Sequence, residues 1–374
     1  MRIKNILKYT ENKKFIEGEI LISNGRIDNY SYDNEIIDGE GCYAIPGLID
    51  IHFHGCNGFD FCDGTDEAIK EIAKYEAEHG VTGICPATMT LPVSELNAIL
   101  KNAANYEKTE GEAELLGINM EGPFISKTKK GAQNEQYIIP CNIEVANEFL
   151  KASKGLVKFI GLAPEESEKY EEFIKEMKDK VHISLAHTNA DYETAKKAIN
   201  AGVDHGVHLY NAMHSVSHRE PGCVGAILES DKTKAELICD GLHIHPQIVR
   251  SVLKQKGVDN VIFISDSMRA TGLKDGTYTL GGLDINVRGN RATLVGEDTL
   301  AGSVTNLMDC MKVAVKDMDI PLETAIACVT MNPAKQLGVY DERGSLTVGK
   351  KADIVLLDKE LNIKTVITNG KKLL

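Results

Sequence analysis

Residues 49–55 read Ile-Asp-Ile-His-Phe-His-Gly, a short apolar run that closes on two histidines one residue apart. Seven further runs share the pattern: Gly83–Thr90 (GICPATMT), Leu116–Pro123 (LGINMEGP), Lys158–Glu165 (KFIGLAPE), His182–Asn189 (HISLAHTN), Val203–Ala212 (VDHGVHLYNA), Ala235–His243 (AELICDGLH) and Val261–Ser267 (VIFISDS). Amphipathic stretches separate them. Short apolar runs alternating with helical periodicity are the mark of repeated β/α units. Eight such units predict an α/β chain folded as a closed (β/α)8 TIM-type barrel.

The intervening segments carry helix signals. Asp66 is read as the cap of a helix that buries Ile69, Ile72, Ala73 and Ala77 and stops at Gly80, and Ser94 opens a second over Leu96, Ile99, Leu100 and Ala103. Residues 191–200, 246–256 and 307–318 repeat the pattern, the second starting at Pro246. Residues 3–43 and 344–374 instead hold short alternating segments broken at turns such as Asn24-Gly25. They are expected to pair into one small β-sandwich domain. The predicted division is therefore 1–48 and 339–374 for the small domain and 49–338 for the barrel. Thr277 to Leu294 reads as a hairpin excursion after the eighth strand.

Composition narrows the functional classes. The 374 residues are 43% hydrophobic, and 42 basic against 55 acidic side chains leave a net charge of −13. No global positive field exists to hold nucleic acid or an anionic membrane. Tryptophan is absent and aromatics are 6% of the chain, which argues against a stacking surface for single strands. Residues 1–9 (MRIKNILKY) lack a signal-peptide core, and no apolar run approaches a membrane span. Nine scattered cysteines suit reduced thiols, so a cytoplasmic protein is expected.

In such a barrel the active site lies at the C-terminal ends of the strands. Polar residues crowd there: His52 and His54 on the first, Glu121 on the third, His187 on the fifth, His208 on the sixth and Asp266 on the eighth. Because side chains alternate along a strand, His52 and His54 point to the same side. Singly, each residue has a structural explanation; Asp266, for instance, could cap a helix. Together, imidazoles and carboxylates crowded at one mouth would repel one another or stay unsatisfied, and a divalent metal resolves both problems. His243, ending Asp240-Gly-Leu-His, shares the rim and is a candidate for substrate contact. Two loops could hold an anion: residues 209–213 with Arg219 beyond them, and Leu300-Ala301-Gly302-Ser303, read as the start of a helix. A surface turn at Pro221-Gly222 and a helix cap at Ser303 account for the same residues equally well.

Several motifs carry a family resemblance: PGLIDIHFHG from Pro46, MEGPF from Met120, KGAQN from Lys130, AHTNADY from Ala186, HLYNAM from His208, REPG from Arg219, DGLH from Asp240, SDS from Ser265 and LAGS from Leu300. The chain resembles the N-acetylglucosamine-6-phosphate deacetylase family of the amidohydrolase superfamily over essentially its full length. The resemblance implies metal-dependent deacetylation of N-acetylglucosamine 6-phosphate to glucosamine 6-phosphate and acetate. It implies metal held by Glu121, His187 and His208, with Asp266 as general base and acid. Substrate contacts would come from Ala132, Asn211, Ala212, Arg219, His243 and the backbone of Leu300, Ala301 and Gly302. The metal is expected to be zinc, with iron as the alternative. His52 and His54 make a second ion plausible, so one or two are expected per chain. A homodimer is also implied, with Arg219 acting in its own subunit or across the interface. Gln133 stands where some members have histidine, and residues 214–218 (HSVSH) depart from the family's proline-containing loop. The alternatives are a dihydroorotase-like or D-aminoacylase-like hydrolase, which would want a lysine at a strand end, and a non-catalytic barrel scaffold.

Overall fold

Eight parallel strands surround one core: Leu48–Asp50, Val81–Ile84, Ile118–Phe124, Val157–Leu162, His182–Leu185, His205–Gly206, Lys234–Ile238 and Val261–Ile264. The computed structural model describes residues 1–31 and 34–374. The first strand pairs with the second, and the third to eighth form one continuous ladder. A continuation of the second strand, Ala87–Thr88, joins the third. The ring closes beyond the ladders, where the Asp266 N–H donates to the His52 carbonyl at 3.0 Å and the His54 N–H to the Ser267 carbonyl at 2.7 Å. Strands two, three and eight are buried along their whole length, and the eighth, Val261–Ile264, accordingly reads as a continuous apolar run rather than an alternating one.

The helices bury the stripes expected of them, including Ile69, Ile72, Ala73 and Ala77 of Asp66–Glu78 and Leu96, Ile99, Leu100 and Ala103 of Val93–Ala103. Each large aliphatic side chain so buried contributes about 1.5–3 kcal/mol. Their caps differ from expectation. Thr65, not Asp66, accepts the Ala68 N–H, and Asp66 lies in the first turn, where its charge suits the positive end of the helix. The second helix starts after Pro92 with no side-chain cap, so Ser94 is already inside it. The helix Leu307–Lys316 is capped by Asn306, which accepts the Asp309 N–H. Ser303 is neither its cap nor its first turn, because its hydroxyl donates to the Ser265 carbonyl at 2.6 Å.

The terminal segments form a single seven-stranded sheet. Its order is Lys371–Lys372, Ile363–Thr368, Ile354–Leu357, Ile36–Pro46, Arg2–Tyr9, Phe15–Ser23 and Arg26–Asp28. The far edge returns to the opposite half: the Ile27 N–H donates to the Lys350 carbonyl and the Ala352 N–H to the Gly25 carbonyl, both at 2.9 Å. Gly25 is required at that closure, since its φ is +76° and a Cβ there would stand 2.8 Å from the Asn369 carbonyl oxygen. Ile3, Ile20, Ile22, Ala44, Ile354, Leu356 and Ile367 share the enclosed core. The two-layered packing expected of a sandwich is thus made by one sheet curled on itself. Arg343, Lys351 and Glu114 fasten this sheet to the barrel, with Glu114 accepting from both cations at 2.7 and 2.8 Å. The expected hairpin is a three-stranded meander, Gly276–Leu280, Leu283–Arg288 and Arg291–Leu294.

Candidate metal centre and substrate cavity

The first strand ends at Asp50, so His52 and His54 stand past the last laddered residue, yet their spacing still sends both rings the same way. His52 Nε2 lies 3.5 Å from Glu121 Oε1 and 3.7 Å from Asp266 Oδ1. His54 Nε2 lies 3.3 Å from Asp266 Oδ1 and 3.5 Å from Glu121 Oε2. From the other side, His187 Nε2 and His208 Nε2 each approach Glu121 Oε1 at 2.9 Å and stand 3.2 Å apart. His187, His208 and Asp266 all carry positive φ, +43°, +23° and +49°. Left-handed backbone at residues other than glycine costs free energy, and persists where the surroundings over-determine it, most often at functional sites.

This cluster meets the requirements of a divalent cation. Four imidazole Nε2 atoms and two carboxylates converge, and His52 Nε2 is buried with no hydrogen-bond partner. The ligand atoms of His52, His54 and Asp266 lie within 4.8 Å of one another, as do those of His52, Glu121 and His208. Nitrogen and carboxylate donors are the set that zinc and iron accept.

Electrostatics follow from the same contacts. Burial opposes the charge on Glu121, but the His187 ring beside it, with hydrogen bonds from His187 and His208 and the nearby His52 ring, holds its carboxyl well below the usual range. Asp266 behaves alike: burial works against it, and His54 and His52 hold it down. Burial likewise disfavours a charged His52, yet Glu236 and Glu121 raise its pKa well above the ordinary value. A site already arranged to stabilise positive charge next to two carboxylates suits a cation in place of those protons.

Two further residues hold this cluster: Glu236, which sequence reading missed, and Gln133, noted there only as standing in place of histidine. Glu236, inside the seventh strand, accepts from His52 Nδ1 at 2.9 Å, from His205 Nε2 at 2.7 Å and from the His208 N–H at 3.0 Å. Gln133 donates from Nε2 to Glu121 Oε2 at 2.5 Å and accepts the Thr90 N–H at 2.6 Å. The available signal for Glu236 was an acid in the middle of the apolar run AELIC.

Above the cluster opens a cavity of about 360 Å³ with His54, Glu121, His187, His208 and Asp266 at its base. Ala132, Asn211, Ala212, His243, Leu300 and Gly302 line it, as do the unforeseen Met89, Lys129, Leu280 and Thr299. His243 is oriented by Asp240, whose Oδ2 accepts from Nδ1 at 2.7 Å. Burial acts against its protonation, but Asp240 raises its pKa above the ordinary value. Two expected residues are absent from that lining, and for Ala301 the expected contact is through the backbone. Ala301 is fully buried in an apolar cluster with Met89, Met268 and Leu280, so its side chain supports the wall without lining it. Arg219 is exposed and lines a separate depression with Asp191, Tyr192, His214 and Pro221. The stretch Leu300–Gly302 is not a helix start either, because that helix begins at Leu307.

The amidohydrolase family model matches residues 43–373. The chain belongs to the amidohydrolase family. This amidohydrolase is 38% identical to the N-acetylglucosamine-6-phosphate deacetylase of Bacillus subtilis (strain 168), over 98% of this chain and 96% of that one. It is 32% identical to the N-acetylgalactosamine-6-phosphate deacetylase of Escherichia coli O157:H7, over 87% of this chain and 86% of the relative. An aspartate-to-alanine variant of the Mycobacterium smegmatis N-acetyl-D-glucosamine-6-phosphate deacetylase, solved with N-acetyl-D-glucosamine-6-phosphate, superposes with a TM-score of 0.91. Sequence identity to it is 28%, with 100% of this chain and 98% of that chain covered. Among the described residues no helix is long and apolar enough to cross a membrane.

Proposed function

We propose that this amidohydrolase removes acetate from N-acetylglucosamine 6-phosphate. One observation carries the reading: four imidazoles converge on Glu121 and Asp266, three of them at the base of a cavity of a size suited to a small ligand. The deacetylase relatives name the substrate. Glu121, His187, His208, His52 and His54 would hold the metal, zinc in the first instance and iron as the alternative, with room in the donor set for two ions. When bound, the metal supplies Lewis-acid polarisation of the acyl group and activation of water.

Asp266, ionised at neutral pH by its imidazole neighbours, takes a proton from the attacking water. The water oxygen bonds to the acetyl carbon, the C–N bond breaks, and Asp266 returns the proton to the departing nitrogen. Glucosamine 6-phosphate and acetate result. His243, held by Asp240, presents Nε2 to the sugar phosphate, and the walls around Ala132, Asn211 and Leu300 position the ring. Because Arg219 lies outside its own chain's cavity, we place it in the phosphate site of a second copy in a homodimer. Nine free cysteines support a reducing compartment, the cytoplasm.

A release assay for acetate, run on N-acetylglucosamine 6-phosphate with metal analysis of the same sample, tests the reading. Stoichiometric acetate dependent on bound metal supports it, and no acetate from a metal-replete sample overturns it. The resemblance to an N-acetylgalactosamine-6-phosphate deacetylase makes the galacto epimer the second substrate to assay.

A further inference from the structure

Glu236 lies within the seventh strand, Lys234–Ile238, with no solvent exposure. One carboxylate there meets three donors from two other strands. Oε2 faces His52 Nδ1 and the His208 N–H, and Oε1 faces His205 Nε2. A carboxylate only accepts, so the nitrogen of His52 that faces it must carry the proton. An imidazole that ligates a metal is neutral and has one such proton. Nε2 is then left as the lone-pair nitrogen, aimed between Glu121 and Asp266 with no protein donor to meet it.

The other three rings are held differently. His187 Nδ1 meets the Lys129 carbonyl at 2.8 Å, while the Nδ1 atoms of His54 and His208 have no partner. His52 is also the residue common to both groups of potential ligands. Thus the carboxylate fastens the one imidazole on which both groups depend. The same Oε2 atom accepts from the backbone of His208, at a residue whose φ of +23° is not an easy conformation. Strand one and strand six are registered against each other through a single oxygen.

We infer that Glu236 is a positioning residue for the metal centre, fixing which nitrogen of His52 faces Glu121 and Asp266 and where His208 stands. The inference rests on the reading that this cluster binds a divalent metal. A carboxylate behind a ligating histidine is worth about 10- to 100-fold in metal affinity. Glu236→Leu should lose affinity on that scale and retain fewer cobalt equivalents. Glu236→Asp keeps the charge but withdraws it by one methylene, and should also weaken binding. Glu236→Gln should restore it: the amide oxygen can accept from His52 and His208, and the amide N–H can face His205, whose Nδ1 is without a partner and free to take the ring proton.

The test is titration of metal-stripped wild type and the three variants with Co²⁺, read by the visible absorption of the bound ion and by metal retained against a competing chelator. Circular dichroism checks that each variant is folded. Weak binding by Asp with near-wild-type binding by Gln supports the inference even if the Leu variant does not fold. A folded Leu or Asp variant with unchanged affinity and spectrum overturns it, as does a Gln variant no better than Leu or Asp, since charge and not acceptor geometry would then be what matters. A wild type that takes up no cobalt overturns the metal reading itself, an outcome distinct from a wild type that binds while the variants bind equally well.

Discussion

Two regions of this barrel bury carboxyl groups that ionise in opposite senses. At the mouth, burial acts against Glu121, Asp266 and Glu236, but histidine neighbours hold all three below the usual carboxylate range. Beneath the mouth, along the seam between the first strand and its helix, no imidazole compensates fully. Burial pushes Asp50 up to about 7 despite the Ser265 hydroxyl donating to it at 2.5 Å, and pushes Glu76 well above the ordinary value. Neither Glu76 oxygen has a hydrogen-bond partner. Desolvation alone keeps an acid neutral, and surrounding imidazoles reverse it. The mouth is therefore built for charge and the seam is not.

The largest effect should come from the mouth. Asp266→Asn removes a base without removing a contact surface, so kcat should fall by about two to four orders of magnitude with KM little changed. Steady-state kinetics on the phosphorylated sugar measure this; near-normal turnover would assign the proton transfer to another group.

Arg219 sharpens the contrast from outside both regions. Arg219→Ala should weaken kcat/KM for the 6-phosphate by about 2–4 kcal/mol, and leave slow turnover of unphosphorylated N-acetylglucosamine nearly unchanged. If the arginine crosses a dimer interface, mixing Arg219→Ala with Asp266→Asn chains should recover activity, because one site of the heterodimer is then complete. Equal losses on both sugars would show that Arg219 supports the fold or the dimer.

Metal content tests how far the mouth's charge design extends. More than one equivalent of metal per chain is expected at saturation, falling in His52→Ala because both donor groups include that residue. One equivalent, unchanged by the substitution, would confine the centre to a single ion.

The smallest effect belongs to the seam. A raised folded pKa means that Glu76 stays protonated while the unfolded carboxyl ionises, so its contribution to stability falls as pH rises from the ordinary glutamate range toward the folded pKa. Glu76→Gln should abolish that decline. Urea midpoints from pH 4 to 8 should therefore rise in the variant relative to wild type, and a relative fall with pH would mean that Glu76 is ionised in the fold.

Much of the barrel was legible because strands buried on both faces must read as apolar runs, and a polar residue at the end of such a run stands out. His52, His54, His187, His208 and Asp266 were visible for that reason. Glu236 was not, because its meaning lies in the juxtaposition of strands one, six and seven, which no local spacing records. Ser303 misled for a related cause: its hydroxyl serves the Ser265 carbonyl across the eighth strand, leaving Asn306 to cap the helix. Arg219 sits in a motif adjacent to the site in sequence but faces a different depression. The terminal strands were legible as strands, whereas their closure through Gly25 and Lys350 depends on contacts between segments from either side of the barrel.

That closure bears on the order in which the protein is made. Strand Ile36–Pro46 is flanked by Arg2–Tyr9 on one side and Ile354–Leu357 on the other. A ribosome delivers the first neighbour at once and the second only after the whole barrel segment has been synthesised. Throughout that interval one edge of a long strand is unpaired, a template for another nascent chain. Removing residues 354–372 would make this temporary exposure permanent, so such a truncation should aggregate even where its barrel is intact.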